Sequence, residues 1–323
     1  MTRLSVGVPV YNHGKYIKQT ILSLLNQEVA PYEIVVSNNH STDETQDVLK
    51  EFEGRIRIIT PPDHLPLFQH FNFLISQLSG DWVALMGADD IAKPNWAKVL
   101  SSGIGVSKNT VMVRSGLEFI DGAGDVVNRH YLLSLRKITP PPKTFREGLL
   151  GPKSNLYFCA FKKETLDKVG RFPQEFALFG DWALYQRLAP HGIFVYQHDI
   201  IGQYRTLYRQ GLQKRRLAAE IGDEVILYKT FFPAIAQRYF PSENHRIKKA
   251  ARRVFVRRIA TASRLLEPSE RASISDGLGE LADLADGQYL LERFMQGEVF
   301  PWPRANPVRR VLRTAYHALR SYV

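Results

Sequence analysis

At 323 residues, 44% hydrophobic and 23% charged, the chain has the composition of a globular protein large enough for a proper core, in one large domain or two. No apolar run approaches the ~20 residues of a membrane-spanning helix. The single cysteine, Cys159, lies in the apolar stretch NLYFCAF, permits no internal disulfide and reads as a buried small hydrophobe, so thiol redox chemistry gains no support. The net charge of +11 is unevenly placed: residues 1–204 hold 21 Lys and Arg against 20 Asp and Glu, whereas residues 205–323 hold 22 against 12.

In chain order, LSVGVPV (4–10) predicts a strand, and residues 16–27 a helix with Ile17, Ile21, Leu24 and Leu25 at helical spacing. YEIVVS (32–37) predicts a second strand. Ser41 stands three residues before Glu44, a capping-box pattern that predicts a helix from about residue 42. RIRIIT predicts a third strand, residues 66–78 a helix, and DWVALM (81–86) a fourth strand, apolar throughout as befits burial on both faces. This alternation is the pattern of an α/β domain wound around a largely parallel sheet. Ligands of such domains sit outside the carboxyl ends of the strands, which singles out PVYNHG, SNNHSTDE and GADD. An aromatic with amides, a second amide cluster and a carboxylate pair suit a base, a ribose and a metal-bound pyrophosphate. A change of texture near 205–212, from Gly- and Pro-rich strand-and-loop sequence to long helical stretches, divides the chain into 1–206 and a basic helical region, 207–323.

Four stretches carry a resemblance. VPVYNHGKYIKQTILSLLNQ, YEIVVSNNHSTDETQDVL, HFNFLISQLSGDWVALMGADDIAKP and VGRFPQEFALFGDWALYQRLA resemble, in order and spacing, the inverting family 2 glycosyltransferases of GT-A fold, over about residues 3–206. The resemblance implies a Rossmann-like mixed sheet that binds a nucleotide-sugar. It implies Asp90 as ligand of Mn²⁺ or Mg²⁺, with Asp89 on the ribose or sharing the metal. One or two carboxylates, with water and phosphate oxygens, suffice for such a cation. Asp181 matches the position of the general base that takes the acceptor's proton. Pro9, Tyr11, Asn12, Asn38 and Asn39 match the nucleotide-binding positions, a UDP-sugar being favoured, and Arg205 or Arg209 is a candidate for the pyrophosphate, the alternative being that both belong to the linker. Three departures stand out: Gly87 where an acid usually precedes the pair, Gly180 where an acid often precedes the base, and Leu207 where a histidine is expected.

In the basic region, Ile247, Ala251, Val254, Phe255, Ile259, Ala262, Leu265 and Leu266 share a helical stripe, with seven basic residues between 246 and 258. Val308, Val311, Leu312, Ala315, Tyr316 and Leu319 repeat the pattern. Such helices suit an anionic membrane surface, each Lys or Arg contributing ~1 kcal/mol, and the family resemblance supplies a lipid-linked glycan acceptor as a reason. The alternative is that the stripes pack on protein, including a second copy of the chain. With no secretory signal at the N-terminus, the expected location is the cytoplasm, peripheral on the inner face of the membrane. The competing functions are a transferase-like scaffold without activity and a nucleic-acid-binding protein using the basic helices; the near-neutral first part and its conspicuous acids argue against nucleic acid.

Overall fold

The computed structural model describes residues 2–130, 137–206 and 212–300. Among these the chain forms two compact units, the first built from residues 2–130, 137–144, 152–174 and 188–206, the second from 145–151, 175–187 and 212–300.

The first unit is built on a ten-stranded sheet. Its opening half follows the predicted alternation: β1 (Leu4–Val10), α1 (Gly14–Leu25), β2 (Glu33–Asn38), α2 (Thr45–Lys50), β3 (Arg57–Ile59), α3 (Leu67–Gln77) and β4 (Trp82–Leu85). These four strands are parallel, in the order β3-β2-β1-β4. β1, β4 and the inner half of β2 are buried, which is why they read as apolar runs. The second half comprises β5 (Ile91–Ala92), α4 (Trp96–Ile104), β6 (Thr110–Ile120), β7 (Val126–His130), β8 (Ile138–Thr139), β9 (Cys159–Lys162), α6 (Lys163–Lys168) and β10 (Ile193–Arg205), while the intervening helices α5 (Lys143–Gly148) and α7 (Gly180–Leu188) fall mostly in the second unit. The sheet becomes mixed here: β9 runs antiparallel between β4 and β6, while β6 and β10 are parallel. Cys159 is buried in β9, as its apolar neighbours imply.

The capping box is not formed. α2 starts at Thr45, and Asp43 takes the capping role by accepting from the Thr45 backbone N–H at 3.0 Å. The Ser41 hydroxyl instead accepts from the Asn12 N–H at 3.0 Å, so it is bound to the loop after β1 rather than to its own helix.

The second unit contains α7 with the helices α8 (Leu212–Ile226), α9 (Phe232–Tyr239), α10 (Asn244–Leu265), α11 (Ser275–Ala285) and α12 (Gln288–Met295). Leu217, Ile221, Phe255, Ile259, Leu278, Leu281 and Phe294 meet in its core. The apolar stripe expected to face lipid lies on α10, and it is covered: Ile247, Ala251, Val254, Phe255, Ile259 and Ala262 are all buried. Arg258, counted among the basic residues, is also buried, paired through Nε with Glu224 at 2.6 Å and through Nη1 with Glu220. The stripe of α10 therefore supplies the helical core. The second stripe, at 308–319, lies outside the described residues, as do Leu207 and Arg209. Among the described residues no helix is long and apolar enough to cross a membrane.

Candidate functional site

Four loops leave the carboxyl ends of β1, β2, β3 and β4 in the first unit. After β1, in which Pro9 lies opposite Ser37, the chain turns at Asn12 through a left-handed conformation (φ 55°), which Asn tolerates better than most residues. The Asn12 carboxamide oxygen accepts from Thr42 N–H at 2.8 Å, joining the first loop to the second. Asp43 completes the joint by accepting from Gly14 N–H at 3.0 Å, which satisfies an open donor at the start of α1. Burial pushes the Asp43 carboxyl up, but hydrogen bonds from Thr45 and from the Gly14 and Thr45 backbones outweigh it and hold it below the usual range.

The amides of the second loop are committed to the protein. Asn38 donates to Gln46 Oε1 at 2.8 Å and accepts from Ser41 N–H at 3.1 Å. Asn39 donates to the Leu65 carbonyl at 2.8 Å and accepts from the Leu65 N–H at 2.9 Å, an exchange that copies backbone pairing and pins the loop after β3. That loop presents His64, whose ring meets the exposed Tyr11 ring edge-on with centroids 4.8 Å apart. His64 was not among the predicted site residues, since a lone histidine between prolines carries no pattern.

GADD follows β4 as expected, but its two acids have different surroundings. The turn is closed by Asp90 N–H donating to the Gly87 carbonyl at 3.1 Å. Thr20 of α1 donates its hydroxyl to the carbonyls of Ala88 and Asp90, at 2.9 and 2.7 Å. Arg205, at the end of β10, donates through Nε to the Asp89 carbonyl, through Nη1 to the Asp121 carbonyl and through Nη2 to Gln19 Oε1, each at 2.9 Å. Its guanidinium lies over the Tyr16 ring at 4.7 Å, and the residue is buried. Arg205 thus shapes the acidic turn from behind. Thr20 did have a sequence signal: it lies with Ile17, Ile21 and Leu24 on the buried face of α1, where a hydroxyl needs a partner.

Asp90 is fully buried; its Oδ1 accepts from Arg205 N–H at 2.9 Å, while Oδ2 has no hydrogen-bond partner among the described residues. Burial pushes its carboxyl well above the usual range and the neighbouring charge of Asp89 adds to this, against the Arg205 backbone N–H and guanidinium. The Asp89 side chain is 21% exposed, with Oδ2 3.9 Å from His13 Nε2. Asp89 is the carboxylate of the pair that solvent and a ligand can reach.

Gly87 now has a structural reason. A Cβ there would fall 2.5 Å from Asp90 Oδ2 and 3.2 Å from Tyr157 Cε2, so the inward-turned Asp90 occupies the space a side chain at 87 would need. Replacing Gly87 by Ala is expected to destabilise the protein by about 1–3 kcal/mol, the usual effect of overpacking a filled interior. Urea denaturation measures this, and an unchanged midpoint would refute the packing argument.

Asp181 lies in the first turn of α7, in the second unit, its Oδ1 accepting from Trp182 N–H at 2.7 Å. Trp182 is fully buried against Phe179, Tyr228 and Phe232 and donates Nε1–H to the Gly148 carbonyl at 2.6 Å, which marks it as an anchor of the helix. The approach to α7 is fixed by the buried Asp223 of α8, which accepts from the N–H groups of Ala177, Leu178 and Phe179 at 2.9, 2.7 and 2.8 Å. Hydrogen bonds to a charged group contribute roughly 1.5–3 kcal/mol each, so this loop is firmly held. No feature of the helical sequence announced Asp223.

Among the described residues no three His, Cys, Asp or Glu side chains group to hold a metal ion. The donor set nevertheless suits a cation whose shell a diphosphate completes: an accessible carboxylate, Asp89, at the strand ends beside a second acid.

Residues 5–163 match the family model described as Glycosyl transferase family 2. An uncharacterized glycosyltransferase of Haemophilus influenzae is 36% identical over 120 residues, covering 36% of this chain and 37% of that protein. Across the first curated relatives the chain spans between a third and just under two thirds of their length. Among solved structures, residues 1–349 of Staphylococcus aureus TarS in complex with UDP-GlcNAc share the fold at a TM-score of 0.57 and 16% identity, over 94% of each chain. The mannosyltransferase PcManGT of Pyrobaculum calidifontis, in complex with GDP-Man and Mn²⁺, shares it at a TM-score of 0.55 and 15% identity, over 91% of this chain and 86% of that one.

Proposed function

Because the chain belongs to glycosyltransferase family 2, we propose that it moves a sugar from a nucleoside diphosphate donor, a UDP-sugar in first place, to a hydroxyl of a glycan or lipid-linked glycan, with inversion. The observation that carries this reading is the cluster of strand-end loops in the first unit, which leaves Tyr11, His64 and Asp89 reachable while Asn38, Asn39, Asp90 and Arg205 are buried as its framework. The base lies against the Tyr11 and His64 rings. Asn12, Asn38 and Asn39 hold the loops that surround it, and Pro9 lies next to the end of the strand that feeds them.

Asp89 is assigned as the metal ligand, with Asp90 behind it, which exchanges the roles suggested by resemblance alone. The exchange rests on burial: a sealed carboxylate cannot meet a diphosphate without the turn opening. Mn²⁺ or Mg²⁺ held there with the diphosphate would offset the charge of the leaving nucleoside diphosphate. PcManGT, a protein of the same fold, was solved with GDP-Man and Mn²⁺, and TarS with UDP-GlcNAc, which supports this class of donor and cation. Asp181 is assigned to removal of the acceptor's proton. Arg205 supports the turn rather than the pyrophosphate.

A thermal-shift screen of nucleotide-sugars with and without Mn²⁺ tests the reading. A donor at a hundred times its Kd stabilises the folded state by about 2.7 kcal/mol, and this stabilisation is expected to need the metal. No shift with any nucleotide-sugar would favour the inactive scaffold instead.

A further inference from the structure

We propose that His13 is a protein ligand of the divalent cation, sharing it with Asp89 through Nε2; the inference rests on the metal-assisted reading above. His13 Nδ1 lies 2.7 Å from the Tyr11 carbonyl oxygen. A carbonyl only accepts, so Nδ1 carries the hydrogen, and in the metal-binding neutral form of the ring the lone pair is the one on Nε2. That lone pair belongs to the atom 3.9 Å from Asp89 Oδ2. The separation is too long for a direct hydrogen bond and leaves room for a cation between the two atoms. First-row divalent ions sit about 2.0–2.2 Å from imidazole nitrogen and carboxylate oxygen, so atoms spaced in this way can share one.

The surroundings have the form that metal-binding histidines require. A ligating imidazole usually donates its other N–H to a carbonyl or carboxylate, which fixes the tautomer and the ring plane. Here the carbonyl belongs to the residue before the left-handed Asn12, whose turn is tied down from the second loop by Ser41 and Thr42. The backbone of His13 has separate work: its N–H donates to Thr45 Oγ1 and its carbonyl accepts from Tyr16 and Ile17 in the first turn of α1. The side chain is 33% exposed and takes no part in capping that helix. His13 thus supplies a second donor beside Asp89 in a turn that has no acid at position 87. An imidazole also biases the site from Mg²⁺ towards Mn²⁺ and later first-row metals.

The experiment uses the full chain with UDP and Mn²⁺, read by electron spin-echo envelope modulation for ¹⁴N coupled to the manganese and by calorimetric titration of Mn²⁺. The wild type is expected to show nitrogen modulation. His13→Ala and His13→Gln are expected to lose it and to bind Mn²⁺ roughly tenfold or more weakly, with Mg²⁺ affinity changed less and thermal unfolding unaltered. Mn²⁺ bound together with UDP but without nitrogen coupling in the wild type, or with equal affinity in both variants, would overturn the inference and leave the metal-assisted reading standing. If Mn²⁺ does not bind in the presence of UDP at all, the metal-assisted reading fails as well.

Discussion

Replacing Asp181 by Asn is expected to lower the rate of sugar transfer by about 10²–10⁴-fold, the range a positioned general base contributes. The acceptor proposed above is an alcohol, whose hydroxyl is a poor nucleophile at neutral pH until its proton has somewhere to go. Asn has the shape of Asp and retains an oxygen that can accept from Trp182 N–H, the 2.7 Å contact at the start of α7. The helix itself depends on other groups, namely the buried Trp182 indole and the Asp223 carboxylate beneath residues 177–179. The variant therefore removes basicity while leaving the local frame in place. Steady-state transfer with saturating acceptor and calorimetric binding of the donor separate the two effects. The expected result is a fall in kcat with donor affinity unchanged; transfer within a few-fold of wild type would remove Asp181 from the role of base.

The alternation from β1 to β4 was legible because β1 and β4 are short apolar runs and α1 and α3 carry their own apolar faces, so local pattern and tertiary placement agree. The second half of the sheet has no such key. β9 is four residues long and antiparallel between β4 and β6, a placement set by partners distant in sequence. Site residues follow the same division. Asn38 and Asn39 have the right chemistry for a nucleotide, but only the fold reveals that their amides are engaged by Gln46, Ser41 and Leu65. The stripe on α10 was correctly periodic, yet periodicity describes an apolar face without naming what covers it; here α8 and α11 supply part of that cover. His13 stood in the sequence as one unclustered histidine among nine. Its interest arises from a carbonyl two residues back and a carboxylate 76 positions away.

The two acids of the opening turn should separate sharply under isosteric substitution. Asp89→Asn is expected to lower transfer by about 10²–10³-fold, the size of a lost contribution to stabilising developing charge, and to weaken Mn²⁺-dependent nucleotide binding with it. Its side chain is partly exposed, so stability should hold. Asp90→Asn retains the oxygen that accepts from Arg205 N–H at 2.9 Å and fills the same sealed volume beneath Gly87, so the turn keeps its shape. Its effect on Mn²⁺-dependent binding should be several-fold at most. Calorimetry of UDP with and without Mn²⁺, run on both variants, measures the difference directly. The reverse order, with Asp90→Asn losing the metal response and Asp89→Asn keeping it, would require the buried acid to emerge when ligand binds. In that event Thr20 and Arg205, which grip the backbone on either side of the pair, would be holding a hinge instead of a fixed wall.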